Sequence, residues 1–324
     1  MYQQDQPQPL LGSILLLVTA VIWGCAFVAQ SVAMDFVQPF TFCGARFFLS
    51  GTALVPVILL RKRMGIDDGC SRRSGRGRAR FRTAVTGGII CGIFLFLGSG
   101  LQQIGIQYTT AGKAGFLTAL YIILVPIYSV FLGKRPKATV AAAAGIALVG
   151  MYLLCMEESL KLSRGDLFCL FCAFAFPFQI LSLDHFTRET DAVLLSCVEF
   201  YTVSVIAGIL AFLFEDPDPA ALRAALIPVL YAGLLSGAVA YTLQAVGQKK
   251  MQNPSAASLI MSLESVFAAL AGWLILDQSM SGRKILGCVI MFAAIILAQL
   301  GISNVSKKNH VSVVFFLRRK RSML

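Results

Sequence analysis

The sequence predicts an all-α integral membrane protein with ten transmembrane helices, and three observations lead to that prediction. The chain of 324 residues is 57% hydrophobic and has a mean hydropathy of +0.76, whereas soluble domains are roughly 45–50% apolar. Apolar runs recur that are long enough to cross a hydrocarbon core of about 30 Å. The 28 Lys and Arg residues are divided unevenly between alternate connecting segments.

The apolar runs define the predicted spans in chain order. The first run has no basic residue before it and no small-residue cleavage site in a typical position, so we expect a retained helix and not a signal peptide. The ten predicted spans are 11–33, 40–60, 84–106, 112–133, 138–155, 166–184, 193–214, 224–246, 254–276 and 284–301.

The basic residues predict the orientation in the membrane. An even number of spans places both termini on one side, and with that side taken as the cytoplasm, 21 of the 28 Lys and Arg residues lie inside and 5 outside. This is the positive-inside bias, and it predicts a multi-pass protein of the cell membrane with cytoplasmic termini. Topology thus accounts for the formal charge of +12, and we expect no nucleic-acid partner.

The two halves of the chain carry similar features in the same order. An offset of 153 residues aligns 12–28 with 165–181 and places Arg46 opposite Glu199. A QxxG sequence occurs in both halves at an offset of 142, at 102–105 and 244–247. Because each half has five predicted spans, the halves would cross the membrane in opposite orientations. Inverted repeats of this kind are typical of secondary transporters, whose binding sites lie near the bilayer midplane.

Several strings resemble a known family. "LQQIGIQYTTAGKAGFLTALYIILVPIYSVFLGKRP" (101–136) and "SLESVFAALAGWLIL" (262–276) resemble the ends of the two EamA-type domains of the drug/metabolite transporter (DMT) superfamily. "AVIWGCAFV" and "ARFFLSG" resemble the start of the first domain. The family usually has proline after the glutamate of the second string, whereas Ser265 stands here, so a proline kink is not expected at this point.

The resemblance covers about 11–301 and implies ten helices in two inverted five-helix repeats around a central cavity. It also implies transport of small metabolites in an unspecified direction. The expected organisation is a cytoplasmic N-terminus 1–10, repeat 1 over 11–155 with a basic cytoplasmic loop 61–83, repeat 2 over 165–301 and a basic cytoplasmic tail 302–324.

Glu264 is the main candidate residue, since a carboxylate at the bilayer centre costs roughly 2.5–3.5 kcal/mol on insertion scales. At 100° per residue, most small residues of 258–276 share one helix face with Glu264, and most bulky residues occupy the other face. We therefore expect Glu264 to point inward and the bulky face to contact lipid. An inward carboxyl group could exchange a proton or balance a cationic substrate, or it could be a structural acceptor that joins helices.

The other candidate residues also leave alternatives open. Arg46 could form an ion pair with Glu264 or Glu199, bind a substrate carboxylate through two hydrogen bonds, or extend to the membrane interface. Lys113 fits an interfacial lysine better than a ligand contact. Glutamines and aromatic residues within the spans could pack between helices or contact the substrate. The candidate substrate or coupling residues are Glu264, Arg46, Gln102, Gln244, Trp23, Tyr121, Lys113 and Glu199.

These features predict a secondary transporter, or permease, that moves a small organic metabolite or drug-like solute by alternating access. Proton-coupled export of amino acids or related metabolites is one form of that function. The alternatives are a passive facilitator and a membrane-embedded enzyme, but we find no catalytic or metal-binding cluster in the sequence and no nucleotide-binding P-loop. We expect no cofactor; the expected partners are a small-molecule substrate and the bilayer, and a homodimer stays open.

Overall fold

The computed structural model describes residues 8–64, 75–133, 137–155, 163–275 and 279–298, and within these ranges all regular secondary structure is helical. The first half contains α1 Pro9–Ala33, α2 Pro39–Arg63, α3 Gly75–Ile106, α4 Ala111–Ala119, α5 Tyr121–Phe131 and α6 Ala138–Cys155. The second half begins with α7 Arg164–Phe186, α8 Ala192–Phe214, α9 Pro219–Ala224 and α10 Leu226–Leu230. It continues with a π-helical segment Tyr231–Tyr241, α11 Thr242–Met251, α12 Pro254–Met261, α13 Glu264–Ile275 and α14 over 282–298.

Most of the predicted spans coincide with helices that can cross a membrane. Eight helical stretches of the described chain are long and apolar enough: Pro9–Ala33, Pro39–Arg63, Gly77–Ile106, Ala111–Phe131, Arg164–Phe186, Ala192–Phe214, Leu226–Met251 and Pro254–Ile275. Shorter helices stand at the other two predicted positions, at Ala138–Leu154 and at 282–298; 299–301 lies outside the described residues. The protein is therefore a multi-pass membrane protein.

Long helix pairs form the scaffold. Helix α2 packs along α8, α3 packs along α7 and α8, and α1 packs along the π-helical segment, α11 and α13. Glycines permit two of these contacts, since an added Cβ on Gly12 of α1 would lie 2.8 Å from the carbonyl oxygen of Gly247. The same atom on Gly165 of α7 would lie 2.6 Å from the carbonyl oxygen of Gly105. Even a methyl group would force these backbones apart.

Polar contacts hold α2 against α8 at both ends. At one end the Glu215 carboxylate accepts hydrogen bonds from the backbone N–H groups of Phe40 at 2.8 Å and Thr41 at 2.7 Å, two donors that the first turn of α2 leaves free. At the other end Arg61 donates to Asp191 at 3.0 Å. The α2–α8 pair is thus fixed at both membrane faces.

Two of the spans are interrupted near their centres. Leu120 separates α4 from α5, and Ser262 and Leu263 separate α12 from α13. The hydroxyl of Ser265 donates to the Ser262 carbonyl at 2.8 Å, and the hydroxyl of Ser262 donates to the Leu259 carbonyl at 2.8 Å. Serine hydroxyls that bond to nearby carbonyls compete with regular helix, so the chain breaks beside Glu264 although no proline follows it.

The prediction that the bulky face of 258–276 contacts lipid is wrong for the first half of this span. Leu259, Leu263 and Val266 are at most 1% exposed, because α12 lies among α1, α5, α6, α7 and α11. Farther along α13, Trp273 is 48% and Leu274 is 71% exposed, as expected for a lipid contact. The helical-wheel argument assumed one helix with one outer face, whereas the interrupted span begins in the centre of the bundle.

Candidate functional site

A small cavity lies at the centre of the bundle, where the two interrupted spans meet the long helices. The centre of a water molecule can reach about 30 Å³ of it, which is enough for water but far below the roughly 300–1,000 Å³ of small-molecule sites. The lining residues are Trp23, Phe27, Gln30, Arg46, Gln102, Thr118, Tyr121, Phe176, Gln179, Ile180, Ser236, Tyr241, Gln244 and Glu264.

Glu264 and Tyr121 meet at this cavity, as the first residues of α13 and α5 after the two interruptions. The Tyr121 hydroxyl donates to Glu264 Oε1 at 3.0 Å. Glu264 is 4% exposed, and no Lys, Arg or His nitrogen of the described residues lies within 4.0 Å of its carboxylate. The carboxyl group thus points inward, as expected, with a hydroxyl and no cation beside it.

Arg46 enters the cavity from α2 and is 3% exposed. Its Nη1 donates to Gln30 Oε1 at 2.9 Å, and its guanidinium lies 4.7 Å from the ring centre of Phe47. The buried Nε has no hydrogen-bond partner among the described atoms, nor does any carboxylate there lie within 4.0 Å of Arg46. This conformation therefore shows neither the ion pair nor the interfacial position that the sequence left open.

A chain of hydrogen bonds leads from the cavity wall to Glu199 on α8. Gln244 donates through Nε2 to Gln179 Oε1 at 3.3 Å, and Gln179 donates through Nε2 to Glu199 Oε1 at 2.8 Å. Glu199 is 1% exposed and stands behind Gln179, not in the cavity lining. The Oε1 atom of Gln244 has no partner among the described atoms.

The remaining polar candidates differ in position. Gln102 is in the cavity wall, where its Nε2 donates to the Thr118 hydroxyl at 3.1 Å. Lys113 does not line the cavity; its Nζ lies 3.9 Å from the Asp166 carboxylate at the start of α7. Among the described residues, no group of three His, Cys, Asp or Glu side chains has the arrangement of a metal site.

Aromatic rings form two walls of the cavity. Trp23 donates through Nε1 to the Ser236 carbonyl at 3.3 Å, and its ring centre lies 4.7 Å from that of Tyr241. On the other side Tyr121 meets Phe176 edge to face, with ring centres 6.4 Å apart. The predicted aromatic residues Trp23 and Tyr121 thus both line the cavity.

The sequence argument missed five polar lining residues: Gln30, Thr118, Gln179, Ser236 and Tyr241. Gln179 had a usable signal, since an amide within the apolar run "FAFPFQILSL" must find a hydrogen-bond partner. Ser236 and Tyr241 had no such signal. They lie in the π-helical segment, which turns them inward, and a change of helix type does not produce the 3.6-residue hydrophobic period that reveals a helix face in a sequence. π-Helical turns are frequent at functional sites.

Comparisons with known proteins identify the family of this chain and relatives of its fold. A profile of the EamA-like transporter family matches residues 10–156 and again residues 163–300. An uncharacterized transporter of Archaeoglobus fulgidus is 28% identical over 293 residues, which covers 90% of this chain and 86% of the relative. The uncharacterized transporter YoaV of Bacillus subtilis is 23% identical over 291 residues, with 87% and 94% covered. A solved crystal structure with 17% identity and a TM-score of 0.70 covers 91% of this chain and 98% of that chain, a likeness of fold alone.

Proposed function

This chain belongs to the EamA-like transporter family, and we propose that it is a secondary transporter of the cell membrane that carries a small organic metabolite by alternating access to the central cavity. One observation carries the proposal: Arg46 and Glu264 both line the same central cavity without forming an ion pair. Charged side chains within a membrane are costly and are typical of substrate and ion pathways.

The two charges favour a zwitterionic substrate such as an amino acid. The Nε of Arg46 has no partner, and its Nη2 has only a long contact of 3.8 Å with the sulfur of Cys43, so donors remain for a substrate carboxylate. Glu264 uses Oε1 for Tyr121 and can accept from a substrate ammonium group. Such a substrate would supply each buried charge with its counter-charge, which offsets the cost of burial. Export of amino acids or related metabolites fits this site.

Glu264 also supports proton coupling. Without a bound cation, a carboxyl group in this environment is costly in its charged form. We propose that Glu264 takes up a proton when the ammonium group leaves and releases that proton when the ammonium group binds. Substrate and proton would then cross the membrane in opposite directions.

The packing supports two inverted five-helix repeats. The glycine contact between Gly12 and Gly247 has a counterpart between Gly165 and Gly105, at positions that the sequence offsets of 153 and 142 residues relate. Each half has one interrupted span, and the interruptions meet at the cavity through Tyr121 and Glu264. Each half also places a charged residue of its second span in a hydrogen bond with a glutamine of its first span.

The helix packing differs between the two sides of the cavity, which supports alternating access. On one side α1 meets α13 so closely that a Cβ on Gly24 would lie 2.8 Å from the Glu264 carbonyl. On the opposite side a crevice of about 650 Å³ lies along the contact between α5 and α7, where the ring centres of Tyr128 and Phe178 are 4.9 Å apart. With both termini in the cytoplasm, the crevice lies in the cytoplasmic half. We propose that α5 and α7 move apart at this crevice to admit substrate from the cytoplasm.

Flux in proteoliposomes tests this function. Purified protein is reconstituted with an imposed pH gradient, and a panel of amino acids and lipophilic cations is followed for the wild type, Glu264→Gln and the control Lys113→Gln, whose lysine lies outside the cavity. We expect saturable, gradient-driven flux in the wild type and the control, and loss of gradient dependence in Glu264→Gln. Gradient-driven flux that persists in Glu264→Gln would contradict the coupling role, and linear flux without saturation would indicate a passive facilitator.

A further inference from the structure

Glu199 is a second buried carboxyl group in the membrane-spanning part of the protein, and it does not touch the cavity. It lies in α8, is 1% exposed, and has no Lys, Arg or His nitrogen of the described chain within 4.0 Å. Its hydrogen bond is to the amide of Gln179. A group so costly to bury requires an explanation that the cavity charges alone do not provide.

The two amides between Glu199 and the cavity both donate their hydrogen bonds in the direction of Glu199. Gln179 donates to Glu199 at 2.8 Å, and Gln244 donates to Gln179 at 3.3 Å. Gln244 is 1% exposed and its Oε1 has no partner among the described atoms. Both glutamines line the cavity. The chain therefore ends at an unsatisfied hydrogen-bond acceptor in the cavity wall, which is what an ionised Glu199, able only to accept, would impose.

Other groups also face Glu199 from neighbouring helices, but the described hydrogen bonds that link it to the cavity are those of the two amides. Cys91 of α3 and Tyr241 of the π-helical segment interact with it electrostatically, α7 contributes Gln179 and α11 contributes Gln244. Arg46 of α2 directs Nη1 to Gln30 and makes no ion pair with Glu199 among the described contacts. Tyr241 also lines the cavity, but the hydrogen bonds described between Glu199 and the cavity wall run through the two amides.

We propose that Glu199 is a positioning residue whose protonation state sets, through Gln179 and Gln244, whether the cavity wall offers a ligand a hydrogen-bond acceptor or a donor. When Glu199 takes one proton from the aqueous phase, its hydroxyl becomes a donor that pairs with Gln179 Oε1. The amides of Gln179 and Gln244 then both turn, so that Gln179 donates through Nε2 to Gln244 Oε1 and Gln244 Nε2 faces the cavity. No covalent bond other than the O–H bond of Glu199 forms.

This inference rests on the proposed function, and it gives that function a selectivity. The ionised state of Glu199 favours a ligand group that donates, such as an ammonium group. The protonated state favours a group that accepts, such as a carboxylate. Protonation of Glu199 thereby changes which ligand group the cavity wall binds, although Glu199 itself does not line the cavity.

Infrared difference spectroscopy tests the inference without any substrate. The full-length protein, with glutamine side chains labelled with ¹³C, is compared in lipid between low and high pH. In the wild type we expect a carboxyl protonation signal and a glutamine amide signal that change with the same midpoint. Glu199→Gln copies the hydrogen bonds of the protonated acid, so this variant should lose the amide signal and the Glu199 part of the carboxyl signal.

Two further variants separate the relay from a structural role. Gln179→Leu breaks the chain and should lose the amide signal while the Glu199 carboxyl signal remains. Gln248→Leu is the matched control, since Gln248 is a buried glutamine of α11 that bonds to the Ile180 carbonyl at 3.2 Å and is outside the chain; it should keep both signals.

An amide signal that persists in Glu199→Gln would overturn the proposal. So would a Glu199 carboxyl signal in the wild type without an amide signal, or no titration of Glu199 over the pH range in which the protein stays folded. Because the measurement uses no substrate, its failure would leave the flux result untouched, and absence of flux would leave this result untouched.

Discussion

Arg46 shows at the scale of one residue how a costly group can indicate function. A buried guanidinium without a carboxylate partner contributes little to stability, since its burial removes it from water and no ion pair offsets that loss. Two ring contacts and one amide hold it in place. The side chain is thus positioned but not neutralised.

Arg46→Met should therefore separate transport from folding. We expect the thermal midpoint of unfolding to stay the same or rise, because the variant removes an uncompensated buried charge. Flux of carboxylate substrates should fall about 100-fold, since two charge-assisted hydrogen bonds together contribute about 3 kcal/mol. Arg46→Lys keeps the charge without the two-pronged geometry and should recover part of the flux. Equal affinity for carboxylates in wild type and Arg46→Met would refute the assigned contact.

Residue-level reading of the sequence found the charges of the site but not their arrangement. Glu264, Arg46 and Gln102 were predictable because polar side chains in apolar runs must face the protein interior. The hydrogen bonds that separate Arg46 from Glu264 were not, because Gln30 and Tyr121 reach these charges from other helices. Lys113 was a weaker candidate, and its position beside Asp166 depends on a contact between distant parts of the chain.

At the scale of elements, the interruption between α12 and α13 is the feature that places Glu264. The backbone N–H of Ser265 bonds to Ser262 at 3.2 Å and not to the fourth residue before it, so the first turn of α13 does not depend on a regular helical bond there. Proline is tolerated in the first turn of a helix but costs about 3 kcal/mol or more in its interior.

Ser265→Pro should therefore fold, and Ala269→Pro should not. Ala269 lies in the interior of α13, where proline removes a hydrogen bond and clashes with the preceding turn. We expect Ser265→Pro to lower the free energy of unfolding by less than about 1 kcal/mol and to keep its flux, because the break already exists. The thermal midpoint and circular dichroism of both purified variants are the measurements. Equal loss of folded protein in both would mean that α12 and α13 form one continuous helix.

The close contact of α1 with α13 gives a second test among the elements. A Cβ on Gly24 would lie 2.8 Å from the backbone nitrogen of Ala268 and from the Glu264 carbonyl, so Gly24→Ala should push the helices apart. Gly115→Ala is the control, because its nearest neighbours would be at an ordinary 3.8 Å. We expect Gly24→Ala to slow flux at least tenfold, which is about 1.4 kcal/mol in the closing step, with Gly115→Ala near wild type. Similar flux in both variants would show that this closure is not part of the cycle.

At the scale of the whole molecule, the sequence predicted the spans better than the interior. Span length and hydropathy follow directly from bilayer thickness. Eight of the ten predicted spans carry described helices long and apolar enough to cross a membrane, and shorter helices stand at the other two. The breaks and the π-helical segment depend on serine hydroxyls, glycine contacts and helix neighbours, which one-dimensional periodicity does not encode. The proposed loading step depends on orientation, because the crevice between α5 and α7 would admit substrate from the membrane face to which it opens.

The proposed orientation rests on the positive-inside bias and can be checked at both ends of α8. Glu189 precedes α8 and Asp216 follows it, and both are exposed; α8 itself is long and apolar enough to cross the membrane. In sealed right-side-out vesicles, an impermeant maleimide should label Asp216→Cys at once and Glu189→Cys only after permeabilisation, with the unsubstituted chain as background. The reverse pattern would place the crevice between α5 and α7 on the outside. The crevice would then open to the exterior. The loading step proposed for α5 and α7 would in that case be a step of uptake and not of export.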